Sequence, residues 1–180
     1  MKNLTILFAT ITVLASCSDH PYQKQIQKVD SLLVVVNDAE QILQNLSPND
    51  YDGMLDTVSQ DVKFIQNHYP DTMDLQTALK VDYYYRTIKS VSKFSTTLSS
   101  QSAELQYSKS QLKNMRQDLE NEILNEESFE QLYPAEGQAV GRHRESVGNL
   151  KAWHETIAKT FNRHKPGIDS LIVYIKESAK

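Results

Sequence analysis

The chain holds one cysteine, Cys17, among its 180 residues. A lone cysteine cannot form an internal disulfide, so oxidative cross-linking contributes nothing to the fold of a single copy. Glycine and proline are sparse at five each. No glycine-rich phosphate loop and no nucleophile elbow can be found. No stretch combines sustained strand-like alternation with turn residues at both ends. No apolar run approaches the roughly 20 residues that a stable membrane-crossing helix needs. Basic residues are outnumbered, 19 Lys and Arg against 23 Asp and Glu, for a net charge of −4. That balance argues against nucleic acid, whose phosphates need clustered cations. It also argues against an electrostatic hold on an anionic membrane.

The N-terminus has a definite pattern. Lys2 is the only charge before Cys17, and from Leu4 to Ala15 the chain is apolar or Thr. A positive start, a short apolar core and small residues at the end describe a secretory signal. The small residues here run Leu14-Ala15-Ser16-Cys17. This segment resembles the lipobox of bacterial lipoproteins. The resemblance implies cleavage before Cys17 and acylation of that residue, and it accounts for the single thiol. Two or more acyl chains give stable anchoring. Residues 1–16 are then a signal peptide, residues 17–21 a lipidated tether and residues 22–180 a single helical domain. Cleavage removes Lys2 and no acid, so the mature chain is one charge more negative than the whole. Ser18, not Asp, follows the cysteine. By the sorting rule of that family this implies the outer membrane, facing the periplasm.

Apolar residues beyond residue 22 recur every three or four positions, the signature of helices with one buried face. A first helix over about 22–46 carries Val29, Leu32, Val36, Ala39, Leu43 and Leu46. Ser47-Pro48 reads as cap and first-turn proline of the next helix. The second, over about 48–68, carries Tyr51, Leu55, Val58, Val62, Ile65 and Tyr69. The third spans about 72–125, with Asp71 or Thr72 as its cap. In it Tyr84, Val91, Leu98, Leu105, Leu112 and Leu119 recur every seven residues. The row four residues further on turns polar at Ser95, Ser102, Lys109 and Arg116, so its apolar face thins beyond Leu98. A break near Ser99–Ser102 is the alternative to one continuous helix. The fourth, over about 135–178, keeps its rhythm through Lys165-Pro166-Gly167, which predicts a kink.

At about 1.5 Å per residue the first two helices reach roughly 37 and 30 Å, the third about 80 Å and the fourth about 65 Å. The expected fold is therefore all-α, an antiparallel bundle of about four helices. Its base comprises 22–98 plus 154–178. The long third and fourth helices project from it as a coiled-coil arm over 99–153. The tether, the 69–72 turn and the C-terminus then lie at the base, with the turn near 126–135 at the far tip.

Few side chains suggest chemistry. His143, His154 and His164 share the inner face of the fourth helix. They stand ten or eleven residues apart, about 15 Å between neighbours, too far to share one metal ion. They read as imidazoles hydrogen-bonded across the helix interface, and neither a metal nor another cofactor is expected. Tyr83, Tyr84 and Tyr85 point about 100° apart on a helix. Tyr84 belongs to the seam, while Tyr83 and Tyr85 read as flank packing or partner contacts. Arg142 and Arg144 read as ion-pair partners of Glu120 and Glu122. Glu126, Glu127, Glu130 and Glu136 make the tip acidic, and the first three are candidates for docking a basic partner.

Lipobox and helical composition together resemble the small helical lipoproteins of Bacteroidota, a likeness that implies no active site. The expected function is a non-enzymatic, lipid-anchored envelope protein that binds another envelope protein or itself through the arm. Two alternatives stay open: a small-ligand or metal-binding module in the base, and a periplasmic chaperone-like protein that grips clients between arms.

Overall fold

The computed structural model of the chain describes residues 20–69 and 72–178. Cys17 and the signal segment lie outside the described residues, as does Asp71. Among the described residues the fold is all-α, with no strand. Helix α1 spans Gln23–Gln44, α2 Asp52–His68, α3 Leu75–Glu120 and α4 Glu126–Ser178, with a short 3-10 turn at Pro48–Tyr51. The 46 residues of α3 and 53 of α4 correspond to rods of roughly 70 and 80 Å. They pack along each other as one antiparallel hairpin.

Local chemistry sets the ends. The Ser47 side chain accepts a hydrogen bond from the Asn49 amide at 3.3 Å, with Pro48 in the first turn. Asp74, not Asp71 or Thr72, caps α3, accepting from the amides of Gln76 and Thr77 at 2.9 and 3.0 Å. α3 runs unbroken through Ser99–Ser102. It ends in a Schellman closure: the Ile123 amide donates to the Asp118 carbonyl at 2.8 Å and the Glu122 amide to Leu119 at 3.1 Å. Glu122 takes the left-handed position at φ 57° that glycine usually fills. Asn125 then accepts from the Ser128 amide at 2.9 Å and starts α4. The hairpin turn therefore lies at 121–125 rather than 126–135. Pro134 and Pro166 both sit inside α4.

The shorter helices are placed differently from expectation. α1 and α2 do not pair side by side at a base; they make no contact with each other and lie end to end along the hairpin. Gln25 bonds to Glu126 and Lys28 to Glu130, 101 and 102 residues apart. Past the break, Tyr51 bonds to His154 and His154 to Asp50, 103 and 104 residues apart. Asp61 meets Lys165 further along at the same offset. So α1 and α2 form one third rail, parallel to α4 and antiparallel to α3, with only a small slip in register at residues 45–51. No two-stranded arm projects over 99–153, because α1 covers that half.

The polar row on α3 explains why the expectation failed. The second buried row is not Ser95, Ser102, Lys109 and Arg116 but the one at three residues' spacing: Thr87, Phe94, Gln101, Ser108 and Met115. Lys109 and Arg116 instead flank the seam and face acids of α1. Lys109 pairs with Glu40, and Arg116 Nε lies 2.7 Å from Asp30. The apparent thinning marks a charged contact with a third helix, not the loss of a neighbour. The apolar core separates into two clusters. One joins α1 to the turn-proximal hairpin, from Ile26 and Val36 to Leu112 and Phe129. The other joins α2 to the opposite end through Val58, Ile65, Tyr84, Ile168 and Ile175. Each fully buried aliphatic or aromatic side chain contributes about 1.5–3 kcal/mol, so each cluster holds its own stretch of the third rail.

Candidate functional site

Two regions carry more than packing. The first is the hairpin turn. His20 Nε2 lies 3.0 Å from the backbone carbonyl of Glu120 in the last turn of α3. Lys28 reaches Glu130 at 3.0 Å and lies over the rings of Phe129 and Tyr133 at 5.5 and 5.7 Å. The start of the third rail is thus seated on the turn, and residue 20 is only three positions beyond Cys17. Of the acids expected to form a docking tip, Glu126 accepts from Gln25 and Glu130 from Lys28, while Glu127 is exposed. They stand at the hairpin-turn end of the rod, beside the start of α1. Arg142 and Arg144 pair with neither Glu120 nor Glu122; Glu120 is held by Arg116 at 2.7 Å. The cause is the earlier turn, which shifts the register of α4 against α3.

The second region is a cleft of about 230 Å³ between α3 and α4. Tyr83, Arg86 and Thr87 line it from α3, and Ile157, Thr160 and His164 from α4. It falls between the two apolar clusters. Tyr83 is not packed on α1 or α2; its ring stacks on His164 with centroids 6.0 Å apart, and the Arg86 guanidinium lies 5.3 Å from the same ring. Arg86 also meets Asp82 one turn back at 2.7 Å, an exposed pair of the kind that adds little stability. Tyr85 is 41% exposed, and Tyr84 is fully buried. Thr87 is 3% exposed, and its hydroxyl is the one buried side-chain polar atom without a hydrogen-bond partner among the described residues. An unmet buried hydroxyl costs about 1–3 kcal/mol.

Aromatic side chains close the cleft toward the rail break. Ser90, also on its wall, accepts from the Trp153 indole at 3.0 Å. Trp153 sits edge-on to Phe94 at 5.8 Å, and Phe94 edge-on to Tyr51 at 6.0 Å. Tyr51 donates to the His154 carbonyl at 3.0 Å, pinning the 3-10 turn to α4. Burial, and then the charge of Asp50, push the Tyr51 phenol up to about 12.

The three seam histidines stay apart. His143 meets the buried Ser108 hydroxyl at 2.9 Å, His154 lies 3.4 Å from Asp50, and His164 stacks on Tyr83. No group of three His, Cys, Asp or Glu side chains among the described residues could hold a metal ion. On the far side of the distal hairpin, Asp61 accepts from the Tyr84 hydroxyl at 2.7 Å and lies 3.4 Å from the Lys165 ammonium, tying three helices together.

The sequence reading passed over Arg86, Thr87 and Thr160. The available signal was the polar residue at a core register, since Thr87, Gln101 and Ser108 interrupt a seven-residue row. No helix among the described residues is long and apolar enough to cross a membrane. The fold is that of an elongated all-α bundle. No protein-family model matches the chain, and no curated protein or solved structure matches it either.

Proposed function

We propose that the protein is a non-enzymatic, lipid-anchored rod of the bacterial cell envelope, held through Cys17 and presenting protein-binding surface away from the membrane. The outer membrane, facing the periplasm, is its expected place. The observation that carries the reading is the contact of His20 with Glu120, only a few residues from the proposed anchor. With lipid at Cys17, the hairpin turn would lie next to the membrane. The opposite end would stand roughly 70–80 Å away. That end carries exposed Leu75, Val173 and Tyr174 and stands clear of the proposed anchor, which makes it the better candidate for a partner than Glu126, Glu127 and Glu130. The partner is another envelope protein or a second copy.

The reading is tested in cells by two measurements. Metabolic labelling with an alkyne fatty acid should mark the wild-type chain and not Cys17→Ser, and only the former should sediment with membranes. Photo-crosslinkers at positions 75 and 174 should capture a defined protein, while one at position 127 should not. Absence of label from the wild type overturns the anchor. A partner captured from position 127 and not from the opposite end overturns the orientation.

A further inference from the structure

We infer that the cleft between α3 and α4 binds a small organic carboxylate with an apolar or aromatic body. The inference stands apart from the anchored reading above, since nothing in it depends on Cys17. Its volume of about 230 Å³ equals roughly seven or eight waters at ~30 Å³ each. The cleft is open on one side and encloses a ligand body of about a dozen heavy atoms.

The wall selects the chemistry. Ile157 and the stacked Tyr83 and His164 rings provide apolar and aromatic surface. The polar demand is one-sided. A guanidinium has five N–H donors and no acceptor, and Asp82 engages Arg86 through a single oxygen, Oδ2, at Nε and Nη2. Several N–H groups of Arg86 remain for a second anion. Thr87 adds a buried hydroxyl that finds no acceptor within the protein. Thr side chains in helices divide between two χ1 rotamers, so a single rotation changes where that hydroxyl points. A ligand that brings an acceptor oxygen meets Arg86 directly, and meets Thr87 once that hydroxyl has turned toward the cleft; a carboxylate does so with charge opposite to that of Arg86. A cationic ligand meets Arg86 at the mouth and is disfavoured. A neutral hydrocarbon leaves Thr87 as it was.

A built-in reporter makes the test direct. Trp153 is the only tryptophan of the chain, and its indole hydrogen bond ends on Ser90 in the cleft wall. The full-length chain is titrated without detergent with 3-phenylpropionate, and in parallel with 3-phenylpropionamide, while tryptophan emission and melting temperature are followed. The carboxylate should shift the emission saturably and raise the melting temperature. The amide should bind at least tenfold more weakly. Arg86→Gln should lose at least tenfold in carboxylate affinity with an unchanged melting temperature in the free protein. Thr87→Val keeps the shape and removes the unmet hydroxyl. It should melt at higher temperature when free, yet bind the carboxylate more weakly. No response to either probe up to roughly 10 mM overturns the proposal, that being ten times a dissociation constant of 1 mM. Equal binding of acid and amide overturns the ligand class. Undiminished binding by both variants overturns the location.

Discussion

His20 Nε2 sits 3.0 Å from the main-chain carbonyl of Glu120. Through that contact the first described residue meets the last turn of α3, a hundred positions along the chain. Position along the rod is therefore set by pairings that bridge from 69 to 104 residues, and these pairings can be read out chemically.

Zero-length carbodiimide coupling of the folded chain should join Lys28 to Glu130 and Lys109 to Glu40, the two lysine–glutamate pairs that tie α1 to the hairpin. Mass spectrometry of the digested protein identifies the joined peptides. If α1 were packed against α2 at one end of the molecule, neither product would form.

Glu122 holds the left-handed position of the α3 closure at φ 57°. An L-residue in that region costs about 1–2 kcal/mol relative to ordinary helix, and glycine does not pay it. Glycine is looser in the unfolded chain, which offsets part of the gain. Glu122→Gly should stabilise the protein by about 0.5–1 kcal/mol, seen as a rise of roughly 1–4 °C in melting temperature. A fall would show that the Glu122 side chain has a role the backbone does not reveal.

The Glu40 carboxyl is held below its usual range, first by its hydrogen bond from Lys109 and then by Gln106 and nearby positive charge. A depressed folded value means the folded state binds fewer protons than the unfolded chain. This stabilisation is present above the ordinary carboxylate range near pH 4.3–4.5 and is lost as pH falls through the lower folded value. Glu40→Gln should cost about 0.5–1 kcal/mol at neutral pH. Below pH 4 the difference between variant and wild type should shrink toward zero in urea denaturation. A pH-independent difference would assign the effect to packing.

Alkali tests the opposite sign. Burial first, and then the hydrogen bond to Asp61, raise the Tyr84 phenol. A raised folded value means the folded state retains its proton. Stability is full below the ordinary tyrosine value near pH 10 and falls as pH climbs beyond it. Tyr84→Phe should cost about 1 kcal/mol at pH 7 from the lost hydrogen bond, yet lose less stability than wild type between pH 9 and 11. Lys165 is also raised, chiefly by its hydrogen bond to Asp169, so some alkaline loss should persist in the variant. Parallel curves would show that Tyr84 does not titrate with unfolding.

Much of the helix content was legible, because buried faces obey spacing. Every position of the row from Tyr84 to Leu119 is buried. The α4 row from Val140 to Ile175 is buried or half-buried throughout. The neighbours were not legible. Periodicity tells which face is covered, not by what or at what height. Neither companion row of α3 reads as continuous hydrophobe: one has Thr87, Gln101 and Ser108, the other Ser95, Ser102, Lys109 and Arg116. Ser47-Pro48 looks the same whether the chain reverses there or steps aside and continues. The opposed charges of Asp30 and Glu40 on α1 and of Arg116 and Lys109 on α3 held the missing information, but only once the two helices were laid side by side. The cleft was invisible for a related reason, since Thr87 and Thr160 resemble solvated hydroxyls until two helices close over them.

The interruption at residues 45–51 divides one of three parallel supports while the other two run through. Most of each segment rests on its own hydrophobic patch, and the first patch runs past the break to Tyr51, Met54 and Leu55. Loosening that begins at the turn can lift Gln23–Gln44 and halt at the aromatic clasp of Tyr51, Phe94 and Trp153, leaving Asp52–His68 in place; the reverse holds from the other end. The interrupted rail can loosen one segment at a time while the hairpin of α3 and α4 stays whole.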